Sequence, residues 1–207
     1  ESIQFQYRDE IAGTERRRGD SFFIPGVGVL WKITENLSVK TSYNQAVTAS
    51  GLDSQGSEKR EESQNAEFGL KYLSDARTTE ADIVVFSSDY SNITGTCTAS
   101  TGCAAGQLDQ QFNGGQAIMR GVEARVGHSL RAFGAWFPVQ LNLTWIQGQF
   151  ANEFNSSGAE WGVGTVRAGD PLPYVPEMQY TMVLGHEVGN FKQALNIQYQ
   201  GAMYDQS

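Results

Sequence analysis

Apolar and polar residues alternate along most of this chain. Val139, Leu141, Leu143 and Trp145 take one set of alternate positions, and Gln140, Asn142 and Thr144 take the other. Successive side chains of an extended strand point to opposite faces, so this segment reads as a β-strand with one apolar and one wet face. The same period of two recurs in Ile3, Phe5 and Tyr7, and in Val27, Val29, Trp31 and Ile33. It returns in Leu37, Val39, Thr41 and Tyr43; in Ala66, Phe68, Leu70 and Tyr72; and in Val122, Ala124 and Val126. Met178, Tyr180, Met182 and Leu184, then Leu195, Ile197 and Tyr199, complete the series. Residues 81–90 are strand-like, but Ile83-Val84-Val85-Phe86 is apolar on both faces, so its sides cannot be assigned from pattern alone. The expectation is nine strands and no helix.

Connection lengths form a second pattern. Longer links are expected at 12–20, 48–63, 91–115 and 151–176, a moderate one at 131–137, and short turns at 34–36, 74–77 and 188–190. Long and short links therefore fall on opposite ends of the strands. An up-and-down antiparallel sheet with long Gly/Ser/Asn-rich loops at one end and tight turns at the other suits an outer-membrane β-barrel. Strands of about 9–12 residues match the ~9–11 that cross a bilayer at a tilt. Aromatic residues near strand ends (Phe22, Phe23, Trp31, Tyr72, Trp136, Phe137, Phe150 and Phe191) suit the girdles at a membrane interface. The rival reading is a secreted antiparallel sandwich serving as an adhesion module, with shorter strands and more frequent turns.

The 21 charge-free residues 132–152 raise the question of a membrane helix. Pro138, Gln140, Asn142, Thr144, Gln147 and Gln149 answer it, since they would set polar groups all round that helix. Composition agrees with a β-rich folded chain: 40% apolar, 11% aromatic and 18% charged residues, with 23 glycines among 207 residues. The net charge of −8 argues against a nucleic-acid partner, which would meet a basic face. No targeting segment is visible at Glu1. Nine strands are an odd number, and an open sheet in lipid leaves two unpaired edges. The expectation is therefore a fragment of a larger barrel, occupying residues 1–207.

Several runs resemble one family. Residues 62–72, ending Glu67-Phe-Gly-Leu-Lys-Tyr72, resemble the "E…ELGxKY" strand of TonB-dependent outer-membrane receptors, and residues 82–93 resemble the strand that follows it. Residues 115–124, with Arg120-Gly-Val-Glu123, are similar to that family's "xGxE" strand. Gly169-Asp-Pro-Leu-Pro-Tyr-Val-Pro-Glu177 resembles its "P-x-x-P" approach to the next strand, in a form most similar to the ferric dicitrate type. Their order fits the C-terminal part of such a barrel. The resemblance implies about 22 strands, an internal plug, capture of a ferric chelate (siderophore or iron-citrate) at outer loops, and import driven through TonB. It also implies a bacterial outer-membrane location with lipid and lipopolysaccharide around the barrel. The plug with its TonB box and the closing strands are not among these residues. A passive porin-like channel is the nearest alternative.

Catalytic chemistry has little support. His128 and His186 are the only histidines, are expected near the short-turn ends of strands, and form no metalloprotease pattern. No catalytic set, metal set or covalent cofactor is read; the chelate enters as a transported ligand. Cys97 and Cys103 enclose five residues of a Thr/Ser/Gly-rich loop, and a disulfide pinning the loop tip is expected there, with a reactive thiol pair as the alternative. Arg16-Arg17-Arg18 is read as a solvated stretch balanced by Glu15 and Asp20, or else as an anion site for a chelate or lipopolysaccharide phosphate. Lys32, Lys40, Glu67, Lys71, Glu123 and Arg125 fall on wet faces, where they pair across the lumen or meet a plug. Tyr174 and Gln179, beside the ferric-dicitrate-like segment, are the remaining ligand candidates.

Overall fold

The computed structural model describes residues 2–9, 14–48, 59–96, 111–157, 161 and 163–204. Every regular element among them is a strand. Eight strands make one sheet: β3 (Gly26–Lys32), β4 (Leu37–Thr48), β5 (Glu61–Leu73), β6 (Thr79–Ser91), β9 (Ala117–Ala132), β10 (Ala135–Phe150), β13 (Met178–Val188) and β14 (Phe191–Gln200). Each is antiparallel to its neighbours, in the spatial order β14-β13-β10-β9-β6-β5-β4-β3. The other six strands form three hairpins: β1 (Ser2–Asp9) with β2 (Thr14–Ser21), β7 (Thr94–Thr96) with β8 (Gln111–Asn113), and β11 (Phe154–Ser157) with β12 (Val163–Val166). The last two lie within the long links between sheet strands.

Eight of the nine expected strands thus join one meandering sheet. The ninth, around Ile3–Tyr7, pairs instead with β2 in a separate hairpin. That hairpin corrects the expected link at 12–20, because residues 14–21 are strand. Three successive arginines hide a strand from pattern analysis, since polar residues on both faces leave no apolar period to detect. The moderate link at 131–137 is in fact a two-residue turn. Phe133 and Gly134 have φ of 51° and 76°, the two positive values that a type I′ hairpin turn requires.

Register assigns the faces. One face carries the row Val39, Leu70, Ile83, Ala124, Leu143, Tyr180 and Tyr199, with Thr41, Phe68, Val85, Val122, Trp145 and Met178 in the row above it. One row further toward the long loops, Tyr43, Ala66, Ser87, Arg120 and Gln147 turn the same face polar. On β10 the apolar run from Phe137 to Trp145 covers about 26 Å of strand at ~3.3 Å per residue, enough for the hydrocarbon band of a barrel. Many of these side chains are exposed, Phe68 at 49% and Leu195 at 57%. No second sheet covers them among the described residues, which removes the sandwich.

The opposite face is polar. Its rows include Ser38, Lys71, Asp82, Arg125, Asn142, Thr181 and Gln198, then Lys40, Gly69, Val84, Glu123, Thr144, Gln179 and Gln200. Register settles the ambiguous strand: Ile83 and Val85 share the apolar face, while Val84 and Phe86 share the polar one. Lys40 Nζ lies 2.7 Å from Asp82 Oδ1, reaching across β5. Gly69 makes room for it, since a Cβ there would stand 2.7 Å from Lys40 Cε. Arg125 faces Glu80 at 3.8 Å. Three aromatic residues expected at girdles are elsewhere: Trp136 stands on the polar face, opposite Arg131 and Glu187. Phe150 is fully buried on the polar-face side and Phe22 is also buried, whereas Trp31, Tyr72, Phe137 and Phe191 keep apolar-face positions.

Candidate functional site

The long links build a lobe over the polar face at one end of the sheet. After β6 the chain runs through Ile93, whose carbonyl accepts from Gly114 N–H at 2.6 Å, while Ile93 N–H donates to Gly115 O at 3.1 Å. After β10 it turns at Asn152, whose Oδ1 accepts the Gln116 N–H at 2.5 Å. Residues 169–172 return along the end of β10, with an isolated antiparallel bridge between Gln149 and Pro171. Gly169 N–H donates to Phe150 O (2.8 Å), Phe150 N–H to Asp170 O (2.9 Å), and Leu172 N–H to Gly148 O (3.0 Å). These bonds satisfy backbone groups that a bare strand end would leave to water.

An aromatic cluster holds the two links together. Phe150, Phe154 and Trp161 meet edge to face, with centroids 5.4–6.0 Å apart and interplanar angles of 67–89°. Val166, Ile93 and Leu172 pack around them. Such ring pairs contribute about 0.5–1.5 kcal/mol each beyond the area they bury. Gly114 lies directly under the Trp161 indole, where any Cβ would collide with the ring. Gly114→Ala is therefore expected to displace the indole, destabilise the lobe by about 1–3 kcal/mol, and red-shift tryptophan emission; an unchanged spectrum would refute the packing.

Beside this cluster opens a cleft of about 520 Å³, lined by Glu61, Tyr90, Ile93, Ala117, Met119, Trp161, Leu172, Pro173, Tyr174 and Val175. Its volume falls within the ~300–1,000 Å³ typical of small-molecule sites. The strands supply its floor from polar-face positions: Tyr90 sits opposite Ser63 and Ala117. The links supply its roof. Glu61 is fixed by accepting the Thr94 N–H on Oε2 at 3.2 Å. Tyr174 holds a φ of +60°, a strained value for a residue with a Cβ, and its N–H donates to Tyr204 O at 2.8 Å.

The expected site residues do not all converge. Tyr174 lines this cleft. Gln179 lies lower on the wall, in a polar groove with Asn142, Thr144, Thr181, Gln198 and Gln200. Arg16, Arg17 and Arg18 stand in β2, opposite Tyr7, Gln6 and Phe5, rather than in a loop. Cys97 and Cys103 lie outside the described residues. His128 and His186 do lie near the short-turn ends, bonded to Thr79 (2.9 Å) and Gln193 (3.1 Å). Sequence reading missed Glu61, Tyr90 and Trp161. A tryptophan inside a Gly/Ser-rich loop is the signal that would have found the lobe, because so large an apolar group is rarely left in water.

A sheet with one apolar side, one polar side and a cleft at the long-loop end fits the class: part of the wall of an outer-membrane β-barrel. The family model described as "TonB dependent receptor-like, beta-barrel" matches residues 2–207, and the chain belongs to that family. Its fold is similar to that of the ferric citrate transporter FecA in its unliganded form, at TM-score 0.70 and 14% identity, covering 96% of this chain and 28% of that one. It is also similar to the siderophore receptor PiuA from Acinetobacter baumannii, at TM-score 0.68 and 16% identity, covering 96% and 29%. The FrpB iron transporter from Neisseria meningitidis (F3-3 variant) gives TM-score 0.63 and 15% identity, covering 95% and 29%. Comparison with curated protein sequences gives no match. The chain spans less than a third of the length of these three structures. The family is one of receptors rather than enzymes, and membership in it places the chain in the bacterial outer membrane.

Proposed function

We propose that this chain is wall and outer mouth of a receptor that captures a ferric chelate at its long loops and imports it with energy delivered through TonB. The roofed cleft at the long-loop end of the polar face carries this reading: it offers a built small-molecule site where the membrane-facing band stops. The similar structures, two iron transporters and a siderophore receptor, support the chelate as ligand. TonB acts through an N-terminal part preceding the barrel, and lipid with lipopolysaccharide surrounds the apolar face. Within this proposal Tyr174 contacts the ligand and Gln179 lines its path along the wall. The Arg16–Arg18 run offers guanidinium groups to a lipopolysaccharide phosphate or a chelate carboxylate. A Cys97–Cys103 disulfide pins a loop tip outside.

The test uses the full-length receptor in cells. Uptake of radioiron chelates is expected to require both the receptor and TonB. Uptake that persists without TonB would instead indicate the passive channel. A receptor that binds no iron chelate at all would remove the reading.

A further inference from the structure

We infer that the cleft selects by charge: it takes iron chelates that are neutral or cationic and present an apolar surface, and Glu61 repels polyanionic ones. This deepens the proposed function and rests on it. Three observations carry it. The lining is aromatic and aliphatic on most sides, from Tyr90 and Trp161 to Leu172 and Pro173. Glu61 is the one charged group among the described lining residues, and its bond from the Thr94 N–H holds it in place. Arg60, next to it in the chain, is engaged by Glu62 at 2.6 Å and lies over the Phe22 ring.

The chemistry separates chelate classes. Three hydroxamates neutralise ferric iron and leave a complex with an apolar rim, which aromatic walls and a lone carboxylate accept. Ferric dicitrate and ferric tris-catecholates keep net negative charge. At this open cleft that charge meets Glu61 at close range, with partial screening by water and salt. A site built for such anions would present arginines, whose planar guanidinium groups match carboxylates. The segment that resembles the ferric dicitrate type supplies Leu172, Pro173, Tyr174 and Val175 to this roof, and none of them is basic.

The experiment is equilibrium binding of two probes, a neutral ferric trihydroxamate and ferric dicitrate, to the purified full-length receptor and to its Glu61→Gln variant. The substituted amide keeps an oxygen to accept the Thr94 N–H, so the fold should survive. In the native receptor the trihydroxamate is expected to bind at least about tenfold tighter, and Glu61→Gln to narrow that ratio about tenfold, the scale of one partly screened charge contact. Raising salt should narrow it in the same direction. Equal or tighter ferric dicitrate binding, with a ratio unmoved by Glu61→Gln and by salt, would overturn the charge filter while leaving the receptor reading standing. Failure of both probes to bind the folded receptor would overturn the receptor reading and this inference with it.

Discussion

Leu141→Arg in the full-length receptor is expected to cost about 2–4 kcal/mol of barrel stability in lipid vesicles, the penalty for an arginine near the middle of a lipid face. Leu141 is the central residue of the apolar run on β10 and stands in register with Val126 and Met182. Its backbone neighbours point the other way. Thr144→Arg, three residues along on the polar face, places a guanidinium opposite Glu123. That substitution should change stability by no more than about 0.5 kcal/mol, as surface changes generally do. Urea titration of the vesicle-embedded receptor, followed by the heat-dependent gel shift of folded barrels, measures both. Equal costs for the two variants would show that the faces are assigned wrongly.

Phe150→Ala is the second large effect. Phe150 is completely buried, and it anchors both Phe154 and Trp161 at the end of β10. Removing a buried phenylalanine costs about 3–5 kcal/mol when its surroundings cannot collapse. Here the loss should fall on the lobe, because the sheet below keeps its own ladder of hydrogen bonds. Amide hydrogen exchange is expected to rise together in residues 93–96, 114–116 and 164–172, with the apolar band of β10 unaffected. Ile93 and Leu172 come from different links and share this one cluster, which is why the two should loosen as a unit. Faster exchange confined to residues 151–157 would mean that the links are independent and that the cleft roof does not depend on Phe150.

The two variants probe parts of the chain that differ in how legible they were. Leu141 sits in a run whose alternation specifies its face outright, so its lipid exposure follows from pattern. Phe150 sits in the same strand, five positions beyond Trp145, where the polarity of alternate positions inverts: Gln147 and Gln149 share Trp145's side, and Ile146 and Phe150 lie opposite. Sequence reading therefore placed Phe150 at a girdle. Only the returning segment at residues 169–172 explains why an aromatic belongs on the polar side there.

Alternation by itself determined that this chain is all-β and antiparallel, which residues of most strands face lipid, and at which end the long loops lie. These follow from local geometry, since the period of two belongs to the extended backbone and needs no distant partner. Tertiary structure decided the rest. The side on which Val84 and Phe86 lie, the reach of Lys40 over Gly69 to Asp82, and the separate pairing of β1 with β2 all depend on register between strands. The meeting of Ile93, Phe150, Trp161 and Leu172, and with it the cleft holding Glu61, depends on the path of two long links. Residues as far apart in the chain as Ile93 and Trp161, which share one small core, leave no local period in sequence, because their contact is set by where the chain returns rather than by the geometry of any single strand.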